Sequence, residues 1–109
     1  MTITQFNTIK KAIENNKEIV ESQIFEAGEF FNSDSHSAHI EIELEYNDEQ
    51  HTIEGVAYGN YIENYEKELG TCSESEIDGF DVTAVFVDST LVELTKREKE
   101  EINAIIKSL

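Results

Sequence analysis

Apolar and polar residues alternate without a slip over residues 39–46, whose sequence is His-Ile-Glu-Ile-Glu-Leu-Glu-Tyr. Strict alternation over this length predicts a half-buried β-strand with one apolar face and one polar face. Residues 47–50 interrupt the pattern with Asn-Asp-Glu-Gln, and residues 51–57 resume an extended character. We therefore predict a β-hairpin over residues 39–57, with apolar side chains on one face and carboxylates on the other.

The N-terminal third has helical periodicity. Apolar residues recur at three- and four-residue intervals from Ile3 to Ile13, and again from Ile19 to Phe31. Asn16 and Gly28 interrupt this region, and both residue types reduce helix stability. The pattern predicts either one helix to about Phe31 or two helices with a break near Asn16, and the two asparagines at 15–16 favour the pair.

The second half of the chain contains one clear strand and one clear helix. Residues 79–87 form the most β-prone run in the sequence. Residues 62–70 fit either a short helix that ends at Gly70 or a tyrosine-rich edge strand, and residues 71–78 have the composition of an acidic loop. The C-terminal helix is predicted to begin after Thr95, because Glu98 lies at the capping-box spacing.

The order of these elements predicts an α+β fold. It comprises an N-terminal helix or helix pair, a three-stranded antiparallel sheet that contains the hairpin, and a C-terminal helix packed on one face. At 109 residues the chain has the size of a single domain, so we predict one domain over 1–109. The absence of a long apolar run predicts no membrane span, and the N-terminus lacks the features of a signal peptide. The single cysteine, Cys72, suggests a reducing, cytoplasmic location.

The charge balance is extreme, with 24 acidic residues against 8 lysines and arginines and a net charge of −16. Thirteen acids and no lysine or arginine lie between Lys17 and Lys67. A chain of this charge repels nucleic acids and anionic membranes and attracts basic surfaces. Large basic surfaces belong mostly to proteins that bind nucleic acids, so we expect such a protein or ribonucleoprotein complex as the partner.

The predicted hairpin concentrates these acids. On a strand, every second side chain lies on one face, so the glutamates of residues 41–45 form a row with a spacing of about 6.6–6.8 Å. A rigid row of carboxylates resembles the regularly spaced charges of a nucleic-acid strand. Nearby acids and tyrosines extend the predicted partner-binding surface, whose residues are Glu41, Glu43, Glu45, Asp48, Glu49, Glu54, Glu74, Glu76, Asp78, Tyr58 and Tyr61.

Two alternatives to this interpretation stay open. In the first, the carboxylates are only the solvated face of an amphipathic strand, as in many soluble domains. In the second, the protein is a small acidic interaction or assembly protein, which binds a partner or a second copy of itself. Its contact surface is the apolar N-terminal region, with Phe25, Phe30 and Phe31.

Candidate catalytic and metal-binding groups are sparse. His36 and His39, with His51 and Asp34 nearby, are candidate metal ligands, but His36 and His39 lie on one side only in a helix, and their segment has the composition of a loop. We therefore interpret the histidines as surface residues. Acids at 74–78 resemble the first half of a calcium loop, yet Val85 occupies the position of its last ligand. Cys72 has acidic neighbours, which disfavour a reactive thiolate. We predict no metal, no cofactor and no enzymatic activity.

The last third of the chain combines a strand with Asp81-Val82-Thr83 and a capped helix with Thr95 and Glu98. In size, acidity, lack of proline and element order, the whole chain resembles small phage-encoded anti-defence proteins, chiefly the DNA-mimicking anti-CRISPR and anti-restriction inhibitors. The resemblance rests on composition and element order, so it assigns no individual residue. It implies a non-enzymatic inhibitor that occupies a nucleic-acid-binding site of a defence complex in the host cytoplasm.

Overall fold

A four-stranded antiparallel sheet, in the order β1-β2-β3-β4, carries its helices on one face. The computed structural model describes residues 3–32, 34–66 and 70–109, and only the backbone of residues 62–66 and 70–74. The elements are α1 (Ile3–Asn15), α2 (Lys17–Ala27), a 3-10 turn (Gly28–Phe30), β1 (Ser37–Tyr46), β2 (Glu49–Glu66), β3 (Gly70–Val87), β4 (Thr90–Val92) and α3 (Lys96–Lys107).

Two tight turns set the register of the outer strand pairs. Asn47 and Asp48 link β1 to β2, and Asp88 and Ser89 link β3 to β4; all four have positive φ angles of 49–68°. Two consecutive left-handed residues form a type I′ turn, whose twist matches that of the flanking strands. The hairpin predicted over residues 39–57 is therefore confirmed, and Tyr46 pairs directly with Glu49 at its closed end.

The prediction of a three-stranded sheet is wrong, because β4 adds a fourth strand at the edge of β3. β4 has three residues, too few to produce a readable periodicity. The acidic loop predicted for residues 71–78 is also wrong, since this segment belongs to β3. The ambiguous segment 62–70 contains the end of β2 up to Glu66 and the start of β3 at Gly70, and residues 67–69 lie outside the described residues.

The α+β class and the helix pair are confirmed, with the break between the two helices at Asn16. Its side-chain amide donates to the carbonyls of Ala12 at 2.8 Å and Glu45 at 3.1 Å. The asparagine thus satisfies a carbonyl at the end of α1 and joins that end to β1. The predicted capping box of α3 is also present, as Thr95 Oγ1 accepts from the Glu98 amide and the Glu98 carboxylate accepts from the Thr95 amide.

The core lies between the helices and the inner face of the sheet. Buried aliphatic side chains from both hairpin strands meet those of α1, β3 and α3 there: Ile9, Ile13, Ile42, Leu44, Ile53, Val85 and Ile102. Burying a side chain of this kind contributes about 1.5–3 kcal/mol, so this cluster is the main source of stability. His51 is also buried, at 1 % exposure, which contradicts its prediction as a surface histidine.

The central strands extend well beyond the core. β1 ends at Ser37 opposite Tyr58, so residues 60–66 of β2 pair only with residues 70–76 of β3. We call this two-stranded segment the arm. At its base, a Cβ on Gly59 would overlap the main-chain carbonyl of Glu76, so only glycine fits. The chain measures 57 × 25 × 24 Å and its radius of gyration is 16.0 Å, against about 13 Å for a compact domain of this length.

Candidate partner-binding face

The face of the sheet opposite the helices, here the outer face, carries the predicted row of carboxylates. Side chains of β1 alternate, with Ile42 and Leu44 buried against the helices and Glu41, Glu43 and Glu45 exposed on the outer face. The strict alternation of the sequence causes this separation, because the side-chain period of a strand is two. Three acids thus stand on one surface, as the sequence predicts.

A fourth acid joins this row from the neighbouring strand. Glu54 of β2 lies directly opposite Glu41 in the antiparallel register, while Thr52 and Gln50 lie opposite Glu43 and Glu45. The two-residue turn makes these outer-face positions the non-hydrogen-bonded pairs, in which Cα atoms are about 4.5 Å apart and side chains approach closely. Like charges directly opposite one another destabilise a sheet. We call these four glutamates the acidic row.

No cation neutralises the acidic row within the described parts of the chain. The ion pair found there joins Lys10 Nζ to Glu101 Oε2 at 3.8 Å, on α1 and α3. Lys10 also lies 4.7 Å from the centre of the Phe6 ring. The remaining described basic residues belong to the helices too: Lys11, Lys17, Lys96, Arg97, Lys99 and Lys107. Folding therefore places the cations in the helical layer and leaves the outer face anionic.

Two further acids of the predicted partner-binding surface lie at the base of the arm. Glu76 and Asp78 are exposed on β3, and the Asn60 amide donates to Asp78 Oδ2 at 3.3 Å. Tyr58, half-exposed on the outer face, covers Gly79, where a Cβ would overlap the tyrosine ring. The outer face therefore continues from the acidic row, across Tyr58, to these two acids.

The structure does not bring every predicted site residue to this face. Glu49 and Tyr61 are odd-numbered residues of β2, whose even-numbered residues face outward, so both lie on the helical side of the sheet. Glu49 instead lines a small pocket there with His51 and Thr8. Asp48 is exposed in the turn at the end of the hairpin. Glu74 lies in β3, but its side chain is outside the described residues.

Sequence reasoning missed an apolar strip beside the acidic row. Val56, Ala84 and Phe86 are partly buried on the outer face, and Leu91 of β4, opposite Phe86, is 55 % exposed. The signal was the presence of apolar residues at both parities in 82–87, which indicates apolar side chains on both faces of β3. The outer face thus combines carboxylates on β1 with aliphatic and aromatic groups on β2, β3 and β4.

A second exposed apolar surface lies on the helical side. Phe25 of α2 and Phe30 of the 3-10 turn are 76 % and 69 % exposed, whereas Phe31 is buried. Beside Phe25 a groove of about 270 Å³ runs between α2 and α3 and is lined mainly by aliphatic side chains, including Ile24 and Ile106. Phe31 therefore does not belong to the contact surface that the sequence suggested for this region.

Groups suited to metal binding do not cluster in the described part of the chain. It contains no set of three or more histidine, cysteine, aspartate or glutamate side chains placed to hold an ion. His36 and His39 are exposed, while the Nδ1 atom of buried His51 has no hydrogen-bond partner. Of the helices described, none combines the length and apolar character needed to cross a bilayer.

Comparison with protein-family models, with curated proteins and with solved structures finds no match to this chain.

Proposed function

We propose that the protein is a non-enzymatic inhibitor that binds the basic nucleic-acid site of another protein through its outer face. The observation that supports this proposal is the acidic row: Glu41, Glu43, Glu45 and Glu54 share one rigid surface with no cation beside them in the described residues. An ordinary solvated surface mixes charges of both signs, because unmixed fields raise self-repulsion.

The spacing of the row is about twice the axial spacing of the phosphates on one DNA strand. Carboxylates on alternate strand residues lie about 6.6–6.8 Å apart, whereas each DNA strand carries one phosphate per about 3.4 Å of axis. The row therefore offers roughly one charge for every two phosphates of one strand. Lysine and arginine side chains are long enough to adjust to this difference, and the sheet holds the carboxylates in place before binding, which reduces the entropic cost.

The target that fits best is a defence complex of the anti-CRISPR or anti-restriction type, as the resemblance of the chain implies. CRISPR effector complexes hold the guide–target duplex in a positively charged channel through contacts to its backbone rather than to its sequence. An anionic protein surface of fixed geometry satisfies the same contacts. Because steering dominates the encounter, association is expected to be fast and to weaken as salt rises.

The decisive experiment compares two triple variants with the same change in charge. Glu41, Glu43 and Glu45 become lysine in the first, and the exposed helical acids Glu14, Glu18 and Glu100 become lysine in the control. A basic nucleic-acid-binding protein is captured from host lysate at low salt, with nuclease added, and its nucleic-acid binding is titrated with each variant.

We expect the first variant to inhibit about 10–100-fold less strongly, because three exposed ion pairs with the partner become repulsive. The control should lose much less. Circular dichroism checks that both variants are folded. Inhibition that survives in the first variant, or that falls equally in both, rejects the proposal.

A second candidate function is association through the apolar helical side. The exposure of Phe25 and Phe30 beside the groove favours it. In this case the acids only keep the chain soluble, and the contact is insensitive to salt. Replacement of Phe25 by serine then abolishes self-association in size-exclusion chromatography, while the lysine triple variant at 41, 43 and 45 leaves it unchanged.

A further inference from the structure

β1 forms one edge of the sheet, and along much of its length its outward backbone groups receive no hydrogen bond from the described residues. The two-residue turn makes Tyr46 and Glu49 a hydrogen-bonded pair, so the even-numbered residues of β1 direct their N–H and C=O groups toward β2. Those of His39, Glu41, Glu43 and Glu45 point away from the sheet. The Asn16 amide, which reaches the Glu45 carbonyl at 3.1 Å, lies on this outward side.

Glu45 is the exception: no hydrogen bond from the described residues reaches the outward N–H and C=O groups of His39, Glu41 and Glu43. The opposite edge of the sheet differs. There β4 pairs with Val85–Val87, and the Val82 amide donates to Asn103 Oδ1 of α3 at 2.8 Å. An uncovered edge is a ready template for an additional strand, and β1 offers a longer one than the opposite edge strand, β4, which has only three residues.

The charge around the open edge selects the occupant. Glu41, Glu43 and Glu45 flank the free backbone groups, and Glu54 stands behind Glu41. A second copy paired along β1 would set carboxylates against carboxylates in a chain of net charge −16, and like charges directly opposite are destabilising. A strand that carries cations on the same face would instead place each cation opposite a glutamate, which is favourable.

We propose that β1 accepts, as a fifth antiparallel strand, an extended segment of a partner protein that carries lysine or arginine at every second position. Main-chain hydrogen bonds to residues 39–43 provide affinity, and the alternating cations face the glutamates of β1, which provides specificity. This inference rests on the proposed function, since it specifies which basic element of the partner the acidic row contacts and how.

Two substitutions at one position distinguish the contribution of the edge backbone from that of the carboxylate. Glu43→Gln removes the carboxylate and keeps the outward amide, whereas Glu43→Pro removes both. Proline is tolerated on an edge strand where its missing N–H faces outward, and Ile42 before it is already extended. The fold of both variants is verified by circular dichroism and chemical unfolding.

The probe is the synthetic peptide Thr-Lys-Thr-Lys-Thr-Lys-Thr-Lys-Thr, and its control has the same composition with the four lysines contiguous. We expect the alternating peptide to bind about tenfold more tightly than the control, because only its cations all fall on one strand face. Glu43→Gln weakens the binding of the alternating peptide a few-fold, and Glu43→Pro weakens it about tenfold further than Glu43→Gln does. Absent binding, equal binding of the two peptides, or equal loss in the two variants overturns the inference.

Amide hydrogen exchange gives a readout that charge alone does not affect. In the free protein the amides of Glu41 and Glu43 exchange quickly, while those of Ile42 and Leu44 are protected by β2. Saturation with the alternating peptide is expected to slow exchange at Glu41 and Glu43 by about tenfold or more. Peptide binding without this protection rejects the added strand but leaves the inhibitory outer face intact, whereas failure of the lysine triple variant test rejects the proposed function itself.

Discussion

Single residues determine which surface of this protein is anionic. Glu41, Glu43 and Glu54 lie within one small area of the outer face, and the direct pairing of Glu41 with Glu54 is unfavourable for folding. Repulsion that a fold retains without a compensating cation is typical of a surface that gains by meeting an external charge. Stability and binding therefore place opposite demands on these positions.

Replacement of Glu54 by glutamine should stabilise the protein by about 0.2–1 kcal/mol, because it removes one charge of a close like-charged pair and keeps the shape of the side chain. Chemical denaturation at low and high salt measures the effect, which should shrink as salt screens the repulsion. Glu93→Gln, at an exposed acid outside the acidic row, is the matched control. An equal gain from both variants would indicate a response to net charge alone.

The helices and strands show how far local patterns reach. The hairpin, the break at Asn16 and the capping box of α3 followed from local sequence, because alternation and capping act between near neighbours. The arm followed only in part: a strand was one of two alternatives for residues 62–70, whereas residues 71–78 have the polar composition of a loop and become regular by pairing with β2. Inherent propensity is a weak guide when cross-strand contacts supply the order.

The outer face could be predicted only in part, for the same reason. The parity of Glu41, Glu43 and Glu45 is a local property, so their common face was correct. Glu49 was assigned to the wrong side, because the register that pairs it with Tyr46 depends on the turn type. His51 is buried because it lies two residues from Ile53 on β2 and therefore points to the same, core-facing side of the sheet. The prediction from residue type alone overlooked this.

The capping box of α3 gives a test at the level of one element. Thr95→Ala should destabilise the protein by about 1 kcal/mol, since the amide of Glu98 loses its acceptor. Thr95→Ser keeps the hydroxyl and should retain most of the stability. Urea unfolding followed by circular dichroism compares the two, and an equal cost for alanine and serine would show that the side-chain hydrogen bond is not the stabilising contact.

The whole molecule is elongated because of the arm. The core residues that the structure describes lie outside this segment, so its removal should shorten the molecule without unfolding it. We expect replacement of residues 63–73 by an Asn-Gly turn, joining the paired residues Ile62 and Glu74, to reduce the radius of gyration from 16.0 Å to about 13 Å. Small-angle X-ray scattering measures this change, and loss of cooperative unfolding would show that the arm is part of the folding unit.

The order of strands in the sheet also affects how fast the chain folds. Each strand pairs only with its neighbours in sequence, and the chain contains no proline. Refolding after dilution from denaturant, followed by tyrosine fluorescence, should therefore be complete within about a second and lack the phase of tens of seconds that peptide-bond isomerisation causes. A chain that reaches its native state this quickly is ready to act soon after synthesis, as the proposed competition with nucleic acid for one site requires.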